Sequence, residues 1–263
     1  MKISHEVPIA YLKASGWFND YDYLLPHLYD KYPEYKEYFQ EIKGIRYIVM
    51  DNSLHELGVP YSKGRLLSII DEVQPNEFIV PDEWENAIYS MRNAKEWSFI
   101  ELPENVKKVA VVQGKSFVEI IKCYQTYKWL GYKKIAFSYG ADYYKEMFPH
   151  PNVNISKALG RQLVIVKMIE MGLIGETDEI HLLGCSIPQE FLYYNGIQQI
   201  KTIDTSNPIM AGLEGISYNN WGLDSKPTLK IDEAMEWSVD QIKEKWAFVW
   251  NNVMDFKFIN NIK

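Results

Sequence analysis

Short apolar runs, most of them rich in β-branched residues, recur near 8–13, 45–50, 77–80, 108–112, 134–138, 179–183 and 200–203. Their length and composition suit buried parallel strands. Between them, apolar residues recur at helical spacing. The clearest such stretches are 116–130, with Phe117, Ile120, Ile121 and Tyr124 on one side, 155–172 and 232–253. Strand then helix, at a repeat of about 20 to 40 residues, reads as successive βα units and hence a parallel sheet covered by helices. Besides those runs, a further strand at 215–218 or 228–231 closes an α/β fold of the (β/α)8 TIM-like barrel type, with an open doubly wound sheet as the alternative.

Local signals agree with this division. Ser116 can cap the helix that follows Gln113-Gly114, Glu119 completes a capping box, and Gly131 and Gly172 stand where two helices should stop. The segment 21–38 carries Tyr21, Tyr23, Tyr29, Tyr32, Tyr35 and Tyr38, and reads as a tyrosine-rich helix packed on the barrel, with base stacking as the alternative. At 263 residues, 47% of them hydrophobic, the chain can fill one barrel-sized core. No linker or repeat divides it, so residues 1–263 are expected to form a single domain.

Composition also excludes several classes. No window approaches the roughly 20 apolar residues of a membrane span, and Met1-Lys2-Ile3-Ser4-His5-Glu6 lacks the apolar segment of a secretory signal, so a cytoplasmic location with no membrane partner is expected. Cys123 and Cys185 lack metal-ligand spacing, and neither a metal nor a cofactor is expected. A formal charge of −7 disfavours indiscriminate polyanion binding but allows a local basic rim. Candidates are Lys43, Lys63, Arg65, Lys107, Lys108, Lys133, Lys134, Lys243, Lys245, Lys257 and Lys263, for each of which a solvated surface lysine or arginine is the plainer reading.

Several strand-like runs end in an acid, an amide or a glycine: Asp51 after Tyr47-Ile48-Val49-Met50, Asp82 after Phe78-Ile79-Val80-Pro81, Gln113-Gly114 after Val109-Ala110-Val111-Val112, and Asp204 after Lys201-Thr202-Ile203. In a parallel barrel the C-terminal strand ends meet at one mouth, so these groups can converge on one ligand. Taken singly, each Asp can instead cap the loop or helix after its strand, most plausibly Asp82 ahead of Glu83-Trp84-Glu85-Asn86. His55 can be a surface-loop histidine, and His181, inside a strand, a hydrogen-bonded core residue. Cys185 reads as a small buried apolar residue.

The order Asp51-Asn52-Ser53-Leu54-His55-Glu56, Val80-Pro81-Asp82, Val111-Val112-Gln113-Gly114, Ser138-Tyr139-Gly140, His181-Leu182-Leu183-Gly184 and Ile203-Asp204-Thr205-Ser206-Asn207-Pro208 resembles the tRNA-guanine transglycosylase superfamily. That superfamily holds the queuine and archaeosine tRNA-ribosyltransferases and the enzymes that place 7-deazaguanines in DNA. The resemblance runs from about residue 45 to 210. It implies Asp204 as nucleophile at C1′ and Asp51 as general acid and base. It further implies a guanine or 7-deazaguanine pocket in which Asp82 accepts the purine's amide N–H and amine. There Gln113 with the Gly114 and Gly140 backbone addresses the carbonyl edge, His55 and Leu183 cover the two base faces, and Gly184 lets the backbone approach.

The departures from the family pattern shape the expectation. Nothing after Asp204 supplies the cysteines and histidine that bind zinc in the tRNA enzymes, and Asn52-Ser53-Leu54-His55 replaces a glycine-rich stretch. The resemblance is therefore to the zinc-free, phage-type DNA-modifying members, which implies DNA rather than tRNA as polymer and, for a phage gene, the host cytoplasm. Exchange of guanine for a 7-deazaguanine is the expected activity. An N-glycoside hydrolase acting on a nucleoside or nucleotide, and a non-catalytic barrel binding a purine or a partner protein, are the alternatives. Family enzymes often dimerise, and Trp246 and Trp250 would suit a homodimer interface if exposed.

Overall fold

The structure, a computed structural model, describes residues 1–59, 61–218 and 222–262. Among these, eight parallel strands alternate with helices: β1 Lys2–Ser4, β2 Asp22–Leu24, β3 Ile48–Met50, β4 Glu77–Ile79, β5 Lys107–Val112, β6 Lys134–Ser138, β7 Glu179–Leu183 and β8 Ile200–Asp204. Their order, β1-β8-β7-β6-β5-β4-β3-β2, wraps them into a nearly closed (β/α)8 barrel. Asp20 bridges the seam between β1 and β2. The Ile3 N–H donates to Asp20 Oδ2 at 2.8 Å, and the Asp20 N–H donates to the Ile3 carbonyl at 2.8 Å.

The barrel is completed from the N-terminus. Neither 215–218 nor 228–231 is a strand, and the run 8–13 forms a 3-10 turn, Ile9–Tyr11, and the short helix Leu12–Ser15. Pro8, with φ −65°, has no N–H to give a ladder and starts that turn instead. The two strands that close the barrel, Lys2-Ile3-Ser4 and Asp22-Tyr23-Leu24, lack the β-branched runs that mark the equally short β3 and β4.

Helix boundaries follow the caps with adjustments. The helix Phe117–Trp129 starts after Ser116, whose Oγ accepts the Glu119 N–H at 3.3 Å, while Glu119 Oε2 accepts the N–H of Lys115 rather than that of Ser116. Gly131 and Gly172 both take positive φ where their helices end. The stretch 232–253 is divided among three helices, Ile231–Met235, Val239–Glu244 and Trp246–Ile259, because Ser238 starts a new capping box with Gln241. The segment 21–38 is also broken. Pro33 drives Tyr32 to φ −117°, ψ 112°, separating the helices Pro26–Lys31 and Pro33–Glu41. Tyr21, Tyr23, Tyr29, Tyr35 and Tyr38 are buried, and the Tyr21 hydroxyl donates to the Ile203 carbonyl on β8. These rings pack on the barrel.

Part of the expected basic rim is occupied internally. Lys63 pairs with Glu96, Arg65 with Asp30 and Glu72, and Lys134 lies inside the barrel against Glu77. Lys263 lies outside the described residues. Trp246 packs edge-on to Tyr11, with ring centroids 4.9 Å apart, and Trp250 packs against Phe18, so both rings are partly covered by their own barrel. No helix among the described residues is long and apolar enough to cross a membrane.

Candidate active site

Side chains alternate along a strand, so 77 and 79, 134, 136 and 138, 181 and 183, and 202 and 204 share the inner face of the barrel. Continuing that alternation one step past the strand ends puts Glu6, Asp51 and Gln113 on the same side. All three, with Asp82 and Asp204, line one cavity of about 420 Å³ at the C-terminal mouth. His55, Leu183 and Gly184 line it too. Gly114 and Gly140 do not. A Cβ on Gly114 would meet Glu119 at 2.8 Å, so this glycine serves the helix start; Gly140, at φ +81°, lies behind Trp84, which itself faces the cavity.

Asp82 is held from both sides. Asn52 Nδ2 donates to its Oδ1 at 2.8 Å and Gln113 Nε2 to its Oδ2 at 2.7 Å, while the Glu85 N–H donates to Gln113 Oε1 at 3.0 Å. The last contact fixes which way the Gln113 amide points. Each Asp82 oxygen keeps a second lone pair, and Gln113 keeps a second N–H. Burial pushes the Asp82 carboxyl up to about 7, opposed by the two amide donors.

Asp51 follows β3 and receives the Tyr23 hydroxyl at 3.2 Å and the Ser53 N–H at 3.1 Å. Ser53 is fully buried at φ +60°, a left-handed conformation that favours glycine. His27 holds it there. Its Nδ1 lies 2.8 Å from Ser53 Oγ and its Nε2 2.9 Å from Asp232 Oδ1 on the helix Ile231–Met235. Ser53 thus holds a backbone conformation that glycine would adopt without strain.

Asp204 ends β8. Its Oδ1 lies 2.8 Å from His181 Nε2 on the adjacent β7, and its Oδ2 accepts the Gly184 N–H at a longer 3.3 Å. Burial and then the neighbouring Asp51 push Asp204 up to about 8. Glu6, two residues past β1, lines the same cavity as Asp204, Asp51 and Ser206 and is raised well above the carboxylate range by burial and by Asp204 and Asp51. Three carboxyl groups this close cannot all ionise, and they titrate as a unit. Asp204 accepts the Gly184 N–H, and among the described residues no N–H is donated to the Glu6 carboxyl, so the shared proton favours Glu6 and the charge favours Asp204.

Gly184 is constrained twice. It takes φ +59°, and a Cβ there would stand 2.4 Å from the Tyr139 ring. Arg161, wholly buried, donates to the carbonyls of Phe137, Leu183 and Gly184 and pairs with Glu190, fixing the ends of β6 and β7. At the mouth, Tyr139 Oη is 2.9 Å from His55 Nε2, and Lys226 Nζ sits 3.7 Å from the centre of the Tyr139 ring. Burial, with Lys226 and Lys230 nearby, lowers His55 to about 4. Among the described residues, neither lysine has a carboxylate within ion-pair distance. Cys185 also faces the cavity, but burial pushes its thiol up to about 12, and its Sγ contacts Thr205 Oγ1 at 3.2 Å. Such a thiol is a poor nucleophile.

Fold and cavity together define a (β/α)8 barrel with a carboxylate-rich pocket at the mouth used by barrel enzymes. No protein-family model matches the chain, and no curated protein matches it closely enough to lend it a function. Among the described residues, no group of three or more His, Cys, Asp or Glu is disposed to hold a metal ion.

Proposed function

We propose that this chain is a transglycosylase-like enzyme that replaces guanine by a 7-deazaguanine in nucleic acid, with DNA favoured over tRNA. The observation that carries the reading is the meeting, in one cavity, of the Asp51–Glu6–Asp204 carboxyl group cluster with an Asp82 braced by two amides. The first can run N-glycoside chemistry. The second can recognise a guanine-type edge.

The proposed reaction proceeds through an oxocarbenium-like transition state. Asp204 Oδ2, its less tightly held oxygen, forms a bond to C1′ as the C1′–N9 bond breaks. The bond pair leaves with the guanine, and the carboxyl proton shared within the cluster neutralises it. The incoming base gives its N9 proton back to the cluster, attacks C1′ and releases Asp204. Asp51 fits the acid and base role, and Glu6 serves as the reservoir that keeps a proton available near neutrality.

Recognition rests on complementarity. Guanine presents N1–H and an amine to the free lone pairs of Asp82, and its carbonyl to the remaining Gln113 N–H; adenine lacks that pair of donors and would strand buried acceptors at about 1–3 kcal/mol each. Lys226 and Lys230 on the cavity rim suit the phosphates flanking a nucleotide whose base lies in the acidic floor. Duplex DNA would have to extrude the nucleotide to reach such a site. The test is a denaturing gel of enzyme incubated with guanine-containing DNA. A covalent protein–DNA adduct that vanishes in Asp204→Asn supports the reading, and an adduct that survives the substitution overturns it.

A further inference from the structure

The inner face of the barrel carries a chain of polar side chains below the cavity floor. Lys134 Nζ, on β6, donates to Glu77 Oε1 on β4 at 2.6 Å and to Thr202 Oγ1 on β8 at 3.3 Å. Thr202 Oγ1 lies 2.8 Å from His181 Nδ1, and His181 Nε2 lies 2.8 Å from Asp204 Oδ1. All five side chains are buried.

Chemistry gives this chain a direction. An ammonium can only donate, so the Thr202 oxygen accepts from Lys134 and its own hydrogen is free to point at His181 Nδ1. A nitrogen that accepts is unprotonated, which leaves the imidazole proton on Nε2, aimed at Asp204. From this we infer that Lys134 and Thr202 are positioning residues which, through His181, fix the hydrogen-bond direction at Asp204, so that Oδ1 is held as an acceptor and Oδ2 faces the cavity as an ionised oxygen. The functional half of this inference rests on Asp204 being the nucleophile proposed above; the tautomer does not.

The surroundings support a neutral, fixed ring. Tyr23 stacks on His181 with ring centroids 6.4 Å apart and planes 9° apart. Burial and then Lys134 lower the imidazole to about 3, against the opposing pull of Glu77 and Asp51; Arg161 also disfavours its charging. The charged groups facing the ring are therefore Lys134, Glu77, Asp51, Asp204 and Arg161, and it does not become a cation at working pH.

Nitrogen-15 NMR of histidine-labelled full-length protein, with the His181 signals assigned by their loss in His181→Gln, reads the tautomer directly. The expected result is a protonated Nε2 and an unprotonated Nδ1 in wild type and in Thr202→Ser, with mixed or reversed tautomers in Thr202→Val. In exchange assays Thr202→Val lowers kcat by roughly tenfold or more, leaves KM for the base near wild type and moves the acidic limb of the pH profile upward; Thr202→Ser restores both. A proton on Nδ1 in the wild type overturns the inference whatever the activity, as does a Thr202→Val protein with unchanged tautomer and pH profile. A protein with the expected tautomer that exchanges no base overturns the function proposed for it and leaves the relay standing.

Discussion

Gln113 and Asp82, 31 residues apart in sequence, meet end to end, the Gln113 amide giving one hydrogen at 2.7 Å to an oxygen of a buried carboxylate on the cavity wall. Asp82 must be ionised to accept two purine donors. Because burial raises it to about 7, guanine affinity should climb as pH rises through 7 and level off above it. Asp82→Asn should cost roughly tenfold or more in affinity, since a donor then opposes a donor. Calorimetric titration with guanine from pH 6 to 8.5 checks both, and a flat pH dependence removes Asp82 from the pocket.

The same raised carboxyl groups should weaken the empty protein. Asp82 and the Asp51–Glu6–Asp204 cluster as a unit hold protons in the folded state that the unfolded chain releases near pH 4, so their contribution to stability is complete below pH 4 and is lost as pH rises through the raised range, about 7 for Asp82 and up to about 8 for the cluster. Glu72 works in the opposite sense. Its lowering to about 2 by Lys36 contributes stability above its ordinary pKa, lost as pH falls through about 2. Asp204→Asn should therefore raise Tm at pH 8 by about 5 °C, on a scale of roughly 2–4 °C per kcal/mol, and do little at pH 4. Thermal melts across that range decide it; an equal or lower Tm at pH 8 contradicts the electrostatic picture.

Two glycines with positive φ separate strain from packing. Gly131→Ala meets nothing within 4 Å and should cost only its conformational strain, about 1 kcal/mol. Gly184→Ala carries the same strain and drives a methyl into Tyr139, so it should cost at least about 2 kcal/mol more and displace the N–H that faces Asp204. Urea unfolding of the two variants compares them, and equal losses contradict the close packing.

Much of this arrangement is legible in the sequence. From β3 to β8 the β-branched runs announce the strands, and acids or amides at their ends announce the mouth. The misses have physical causes. β1 (Lys2-Ile3-Ser4) and β2 (Asp22-Tyr23-Leu24) lack the β-branched runs that mark the equally short β3 and β4, so the sequence points to closure at 215–218 or 228–231 and does not single out Glu6. His181 was legible only as a hydrogen-bonded core residue, because its partner Asp204 becomes its neighbour through β7–β8 pairing, 23 positions away. The glycines at 114 and 140 look like site residues in sequence, but Gly114 makes room for Glu119 at a helix start and Gly140 lies against the Trp84 ring.

Lys226 and Lys230 were invisible for the same reason, lying in an irregular segment that only the fold brings over the cavity. Replacing both by Gln should raise KM for DNA several-fold and flatten its dependence on salt by about one to two counterions, with free guanine binding unchanged. Equal salt slopes for the variant and the wild type would take phosphate away from this rim.

The central claim, base exchange at Asp204, is tested most directly by incubating the protein with radiolabelled guanine and, separately, single-stranded DNA, double-stranded DNA and tRNA, then counting label retained in polymer. The account predicts label in DNA with wild-type protein and none with Asp204→Asn, although that variant still binds guanine. Label absent from every polymer, or DNA left abasic with free guanine released, contradicts it.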